Sequence, residues 1–201
     1  MTISIAIYLF AEIEVLDFAG PYEVFTTASR VARRHRPDAA EPFRVFAVAA
    51  DRGPVKARAG LELRPDHTFA DHPAADVLVI PGGVVTAELE RPEVIRWIAE
   101  RHAAAMLTAS VCTGAFLLAR AGLLAGKSAT THWEDIADLR AMFPDIVVIE
   151  GRRWVDAGRV VTSGGISAGI DMSLHLVERL AGRDLALATA RQMEFDWRPG
   201  G

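Results

Sequence analysis

The sequence has almost no cysteine and no long hydrophobic run. Cys112 is the only cysteine among the 201 residues, which excludes an intramolecular disulfide and is typical of a reducing compartment. No apolar run reaches the length of a membrane-spanning helix, and residues 1–10 lack the basic flank and the cleavage site of a signal peptide. We therefore expect a cytoplasmic protein that does not contact a membrane.

An excess of charge of one sign is also missing. Lys and Arg together number 22 and Asp and Glu together number 26, so the formal net charge is −4. This balance provides no strongly basic surface, and we expect no nucleic acid among the partners. Hydrophobic residues make up 51% of the chain, and its length suffices for one α/β domain with a full core. We predict that residues 1–201 form a single domain.

Apolar runs typical of buried strands alternate along the chain with segments of helical periodicity. This alternation predicts an α/β fold in which a mostly parallel sheet carries helices on both faces. The predicted strands are residues 3–10, 43–50, 76–81, 106–110, 129–133 and 146–149, with hairpins in 51–69 and 152–162. The predicted helices are residues 21–35, 92–102, 114–124, 134–143, 166–180 and a terminal helix to 195 that Asp184 caps.

The only cysteine lies where a predicted strand passes into a predicted helix. Cys112 stands in the short Cys-Thr-Gly turn between the two elements, which is the arrangement of a nucleophile elbow. Free N–H groups at a helix start favour an anion, so we expect a thiolate with a pKa of roughly 4–7. The alternative is a buried structural cysteine, because a lone cysteine often behaves as a small hydrophobic residue.

Three further features follow predicted strands, and the carboxyl ends of parallel strands meet at one edge of a sheet. Asp17 lies in a turn before the helix predicted to begin at Pro21, either as a functional carboxylate or as the helix N-cap. Gly82 and Gly83 follow a buried strand and are expected to allow close backbone approach with two free N–H groups. His132 ends another predicted strand. We expect these residues to form one site with the cysteine.

Metal chemistry is not expected at this site. His67 and His72 lie five residues apart in a predicted loop, and the other histidines show no ligand spacing such as HExxH. We therefore expect no metal ion and no cofactor.

Four stretches of the chain carry a family resemblance. They are LDFAGPYEVF at residues 16–25, DVLVIPGG at 76–83, SVCTGAFLLARAGLLAGKSATTHW at 110–133, and VVTSGGISAGIDMSLHLVE at 160–178. In these stretches the sequence resembles the ThiJ/PfpI-like superfamily, which is class I glutamine amidotransferase-like, and within it most closely the isonitrile hydratases. The resemblance implies a flavodoxin-like sandwich. It also implies a homodimer, because members of the superfamily usually pair.

The resemblance implies roles for the residues at the predicted sheet edge. Cys112 matches the reactive elbow cysteine, Asp17 matches the acid that meets it, and Thr113 matches the threonine of the hydratases. The remaining positions match a substrate and oxyanion pocket: Gly82, Gly83, His132 and the N–H of Thr113. Because Thr113 replaces the histidine of the protease-like members, a peptidase relay lacks its base unless His132 supplies it. His132 as a structural hydrogen-bonding residue is the alternative.

The implied activity is that of a lyase, which adds water to a small-molecule isonitrile and forms an N-substituted formamide through a cysteine nucleophile. Two alternatives remain open. One is a glyoxalase or deglycase acting on reactive carbonyl compounds, and the other is a ligand- or redox-sensing module related to AraC-type regulators. Those regulators carry a helix-turn-helix domain after this module, and we see no basic recognition segment here, which disfavours direct DNA binding.

Overall fold

The computed structural model describes residues 1–197 and 199. Strands and helices alternate along most of this range, as the hydrophobic pattern predicts. In chain order the elements are β1 (Ile3–Tyr8), α1 (Val15–His35), β2 (Phe43–Ala49), β3 (Val55–Lys56), β4 (Glu62–Leu63), β5 (His67–Thr68), β6 (Val77–Ile80), α2 (Thr86–Leu89), α3 (Pro92–Ala104), β7 (Leu107–Val111), α4 (Gly114–Arg120), β8 (Ser128–Ala129), α5 (Ile136–Met142), β9 (Val147–Val148), β10 (Trp154–Asp156), β11 (Val160–Ser163), α6 (Ala168–Ala181) and α7 (Arg183–Gln192). Two 3-10 helices, Arg58–Gly60 and Trp133–Asp135, lie between them.

The central sheet has the strand order β10-β11-β7-β6-β1-β2-β5, and only β10 runs antiparallel to its neighbour. Its long parallel strands follow the flavodoxin-like order, in which the chain passes first to one side of β1 and then to the other. The prediction of a mostly parallel, flavodoxin-like α/β sandwich is confirmed. The two short pairs β3-β4 and β8-β9 lie outside this sheet.

Side chains of the sheet alternate between two cores, because successive residues of a strand point to opposite faces. Ile5 and Ile7 pack on one face with buried residues of α1, α6 and α7. Ala6 and Tyr8 pack on the other face with buried residues of α3, α4 and α5. Both faces of the parallel sheet are therefore covered, which explains why its strands are nearly continuous apolar runs.

The first helix begins earlier than predicted. It starts at Val15 rather than at Pro21, and Glu14 is its N-cap without a side-chain capping bond. Asp17 thus lies in the first turn of α1 and is not the N-cap. Pro21 lies inside the helix, where its side chain is buried. The tertiary packing of this turn outweighs the poor helix propensity of proline.

Two other boundaries differ from the prediction. The strand predicted for residues 129–133 is only Ser128–Ala129, and His132 is the N-cap of the 3-10 helix Trp133–Asp135. The chain leaves the ladder because the N–H of Thr130 donates to the side-chain oxygen of Thr162 at 2.9 Å. Asp184 lies in the first turn of α7, whose N-cap is Gly182. Within the described range, no helix is both long enough and apolar enough to span a membrane.

Candidate active site

The site is built around the turn between β7 and α4. Cys112 has a φ of 57°, in the left-handed region that residues with a side chain rarely occupy. Hydrogen bonds hold this backbone in place: the N–H of Cys112 donates to the carbonyl oxygens of Ser163 at 3.1 Å and Gly164 at 3.2 Å. The N–H of Ala115, in the first turn of α4, donates to the carbonyl oxygen of Cys112 at 3.2 Å. The predicted elbow geometry is therefore present.

The two glycines after β6 pack directly against this elbow. A Cβ atom on Gly82 would lie 2.6 Å from the Thr113 nitrogen and 2.8 Å from the Cys112 Cβ, so the expected close approach is present. The expectation of two free N–H groups is wrong. The N–H of Gly82 donates to Oδ2 of Asp17 at 3.1 Å, and the N–H of Gly83 donates to Oγ1 of Thr113 at 2.9 Å.

Asp17 lies behind the cysteine, with no exposed surface. Its carboxyl oxygens accept hydrogen bonds from the N–H of Gly82 and, at 3.0 Å, from the N–H of Ile166, which itself has a φ of 54°. Burial raises the pKa of Asp17 to about 7, and the two N–H donors oppose that rise. A neutral carboxylic acid is therefore a major form of Asp17 near neutral pH.

The thiol of Cys112 does not have the low pKa that the helix start predicts. Burial and the negative charge of Asp17 raise its pKa to about 12, although the N–H and the hydroxyl of Thr113 oppose the rise. The start of the seven-residue α4 does not outweigh these two effects. The thiol in turn lowers the pKa of the Asp17 carboxyl, so the two groups interact with each other. The pair therefore resists carrying two negative charges: it holds two protons below about pH 7 and a single proton above it.

The thiol faces a cavity of about 220 Å³. Four of the predicted residues line it together: Gly83, Cys112, Thr113 and His132. Its other lining residues are Glu14, Arg58, Glu134, Asp135 and Ile166. Asp17 and Gly82 do not line it, because they lie behind the elbow.

Sequence reasoning missed Glu14 and Arg58, which form an ion pair at 3.2 Å. The position of Glu14, three residues before Asp17 in the sequence, could have indicated a second carboxylate at the site. No motif in the sequence indicates Arg58.

His132 is fixed against the wall of the cavity. Its Nδ1 accepts a hydrogen bond from the N–H of Glu134 at 3.4 Å and lies 3.4 Å from Oδ2 of Asp135. A Cβ atom on Gly165 would lie 2.2 Å from the imidazole ring, so glycine is needed for the ring to pack there. His132 thus makes a structural hydrogen bond and also lines the cavity with Cys112, and its role in a substrate pocket stays a prediction.

The residues around the elbow offer no obvious metal site. Among residues 1–197 and 199, no group of three or more His, Cys, Asp and Glu side chains is arranged to hold a metal ion.

A cysteine on a left-handed elbow at the carboxyl edge of the sheet, with a buried acid beside it, places this chain among flavodoxin-like α/β proteins that carry a cysteine at such a turn. Comparison with known families makes this more specific. The chain belongs to the DJ-1/PfpI family, whose model matches residues 3–179.

Relatives within this family have different functions. The chain is 38% identical over 196 residues to an isonitrile hydratase from Pseudomonas putida, covering 97% of this chain and 79% of the relative. It is 30% identical over 193 residues to the HTH-type transcriptional regulator GbdR from Pseudomonas aeruginosa, covering 96% of this chain and 51% of the regulator. The chain thus spans about half the length of that regulator.

Solved structures agree with the fold. A ThiJ/PfpI family protein from Pseudomonas syringae superposes with a TM-score of 0.85 at 30% identity, covering 100% of this chain and 78% of that one. Drosophila melanogaster DJ-1beta superposes with a TM-score of 0.81 at 21% identity, covering 98% of this chain and 100% of that one, which shows a shared fold. The resemblance inferred from the sequence motifs is confirmed.

Proposed function

We propose that this protein hydrates a small isonitrile to an N-substituted formamide, with Cys112 as the nucleophile. One observation carries the proposal. The only cysteine of the sequence is held at a φ of 57°, faces a small cavity and has a fully buried acid behind it. The 38% identity to an isonitrile hydratase supports the choice of reaction.

In the first step the sulfur of Cys112 attacks the terminal carbon of the isonitrile. The S–H bond breaks, a C–S bond and a C–H bond form, and the product is a thioimidate on the enzyme. Asp17 takes the thiol proton and returns it to the carbon, which its raised pKa of about 7 suits. A thiolate formed in advance is therefore unnecessary, which is consistent with the raised pKa of Cys112.

In the second step water adds to the carbon of the thioimidate and the nitrogen gains a proton. The hydroxyl of the resulting tetrahedral adduct gives its proton to Asp17 as the carbonyl forms and the C–S bond breaks; Asp17 then passes this proton to the sulfur, and the formamide leaves. The N–H of Thr113, which lowers the pKa of the neighbouring thiol, stabilises the negative charge that the sulfur acquires as it leaves. No step in this sequence requires His132.

The size of the cavity supports a small substrate. Its volume of about 220 Å³ is below the roughly 300–1,000 Å³ typical of pockets for drug-sized ligands. The isocyano group and a short substituent therefore suit this space.

A second candidate function is a ligand-sensing module without turnover. The observation that favours it is the similarity to a transcriptional regulator over 96% of this chain. A sensor would bind its ligand at the same cavity and release it unchanged.

A turnover assay separates these functions. The purified protein is incubated with tert-butyl isonitrile and, separately, with methylglyoxal, and the products are measured by mass spectrometry. We expect N-tert-butylformamide from the isonitrile and no product from methylglyoxal. Cys112→Ala and Cys112→Ser, tested in parallel, should form no formamide, because both lack the thiol. Formamide formation by Cys112→Ala at the rate of the unaltered protein would refute covalent catalysis.

If the unaltered protein binds the isonitrile without turning it over, the sensor function is favoured instead. Turnover of methylglyoxal in preference to the isonitrile would favour an enzyme acting on reactive carbonyl compounds.

A further inference from the structure

The elbow has a hydrogen-bond donor to which the proposed mechanism assigns no role. Thr131 lies in the loop after β8 and is 2% exposed. Its hydroxyl donates to the carbonyl oxygen of Cys112 at 2.9 Å. Together with the N–H of Ala115, it gives this oxygen two partners from two different segments of the chain. The carbonyl oxygen of Cys112 therefore has two hydrogen-bond partners, as its N–H does.

The peptide group that Thr131 binds is the one that acts on the thiol. The carbonyl of Cys112 and the N–H of Thr113 belong to the same peptide, and that N–H lowers the pKa of the neighbouring thiol and so favours its charged form. A hydrogen bond to the oxygen of a peptide polarises the group and strengthens its N–H as a donor. The hydroxyl of Thr131 thus acts on the sulfur through one intervening peptide group.

We propose that Thr131 is a positioning residue of the elbow, which orients and polarises the Cys112–Thr113 peptide so that its N–H stabilises a negative charge on the sulfur. The part of this proposal that concerns turnover rests on the proposed isonitrile hydration. The part that concerns the reactivity of the thiol does not, because any electrophile that reacts with Cys112 reports on it.

The neighbouring residue provides a matched control. Thr130 has the same side chain and no exposed surface, and its hydroxyl has no hydrogen-bond partner within the described part of the chain. The contact of Thr130 is made by its backbone N–H, which a side-chain substitution retains. Thr130→Val therefore removes a buried hydroxyl one residue away without removing a contact to Cys112.

The experiment measures alkylation of Cys112 by iodoacetamide from about pH 8 to about pH 10, where the rate follows the thiolate fraction. For Thr131→Val we expect a roughly threefold slower reaction at each pH, because loss of the hydrogen bond to the carbonyl weakens the N–H of the same peptide as a donor to the thiolate. Thr131→Ser retains the donor and should match the unaltered protein, as should Thr130→Val. With tert-butyl isonitrile, Thr131→Val should lose roughly tenfold in kcat at an unchanged KM.

Equal alkylation rates for Thr131→Val and the unaltered protein would overturn the proposal. So would an equal slowing in Thr130→Val or Thr131→Ser, since that would indicate general loosening of the loop. Circular dichroism establishes that each variant folds, and Thr131→Ala is measured by the same criteria if Thr131→Val does not fold. If the unaltered protein forms no formamide but Thr131→Val is still alkylated more slowly, the proposed hydration fails and the positioning role stands.

Discussion

The hydroxyl of Thr113 makes hydrogen bonds with both the N–H and the carbonyl oxygen of Gly83. It accepts a hydrogen bond from the N–H at 2.9 Å and donates one to the carbonyl oxygen at 2.8 Å. These bonds join the loop after β6 to the elbow after β7, and both residues line the cavity beside the thiol. We infer that Thr113 fixes the position of one cavity wall relative to Cys112.

Replacing Thr113 by valine should therefore impair both turnover and stability. Thr113→Val has nearly the same shape but leaves two polar groups of Gly83 unpaired, which costs about 1–3 kcal/mol for each group that is buried. We expect kcat with an isonitrile to fall at least roughly tenfold. Thr113→Ser, the matched control, retains the hydroxyl and should keep most of both properties. Steady-state kinetics and urea unfolding provide the measurements, and a Thr113→Val variant as active as Thr113→Ser would contradict this role.

Asp17 should make the stability of the protein depend on pH. Burial raises its pKa from 3.8 to about 7 in the folded protein, so between these values the folded state holds a proton that the unfolded state releases. The stabilisation that this proton provides is present below about pH 4 and is lost as the pH rises through 7. Its full magnitude is about 4 kcal/mol, at 1.36 kcal/mol for each pKa unit.

The free energy of unfolding should therefore fall from pH 4 to pH 8 more steeply in the unaltered protein than in Asp17→Asn, which cannot titrate. Urea unfolding at several pH values measures this difference. Asp38→Asn, which changes an exposed carboxyl, serves as the control and should leave the slope unchanged. If the free energies of unfolding of Asp17→Asn and the unaltered protein differ by the same amount at every pH, Asp17 does not titrate in this range.

Gly82 should tolerate no side chain. The Cβ atom of Gly82→Ala would lie 2.6 Å from both the nitrogen and the side-chain oxygen of Thr113, which forces the elbow to move. We expect a loss of about 1–3 kcal/mol in stability and roughly a hundredfold loss in kcat. Gly53→Ala is the matched control, because a Cβ atom there meets no atom within 4 Å. Similar kinetics for the two variants would show that close packing at Gly82 is unimportant for turnover.

The remaining prediction concerns the oligomeric state, and we expect a homodimer. It is expected because members of the resembled superfamily usually pair. Light scattering at micromolar concentration should give twice the chain mass of 21.8 kDa. A mass equal to one chain at that concentration would refute the prediction.

Local sequence information was sufficient for the elbow and for most of the sheet. The apolar run of residues 106–110 and the turn around Cys112 predict a strand, a sharp turn and a helix, and the structure has all three, with the strand at Leu107–Val111. The sequence was insufficient where distant contacts outweigh local preference. Pro21 suggested a helix start, yet packing extends the helix back to Val15 and carries Asp17 into the interior.

The sequence by itself determined the alternation of strands and helices, the family, and the placement of Cys112 at a strand end, because hydrophobic periodicity and turn chemistry are local properties. Only the tertiary structure decided the chemical state of the site. The pKa of Cys112 depends on its burial and on the charge of Asp17, and the N–H groups of Gly82 and Gly83 are taken by side chains from α1 and from the elbow. Desolvation and electrostatic interaction depend on what surrounds a group in space, and residues distant in the sequence provide those surroundings.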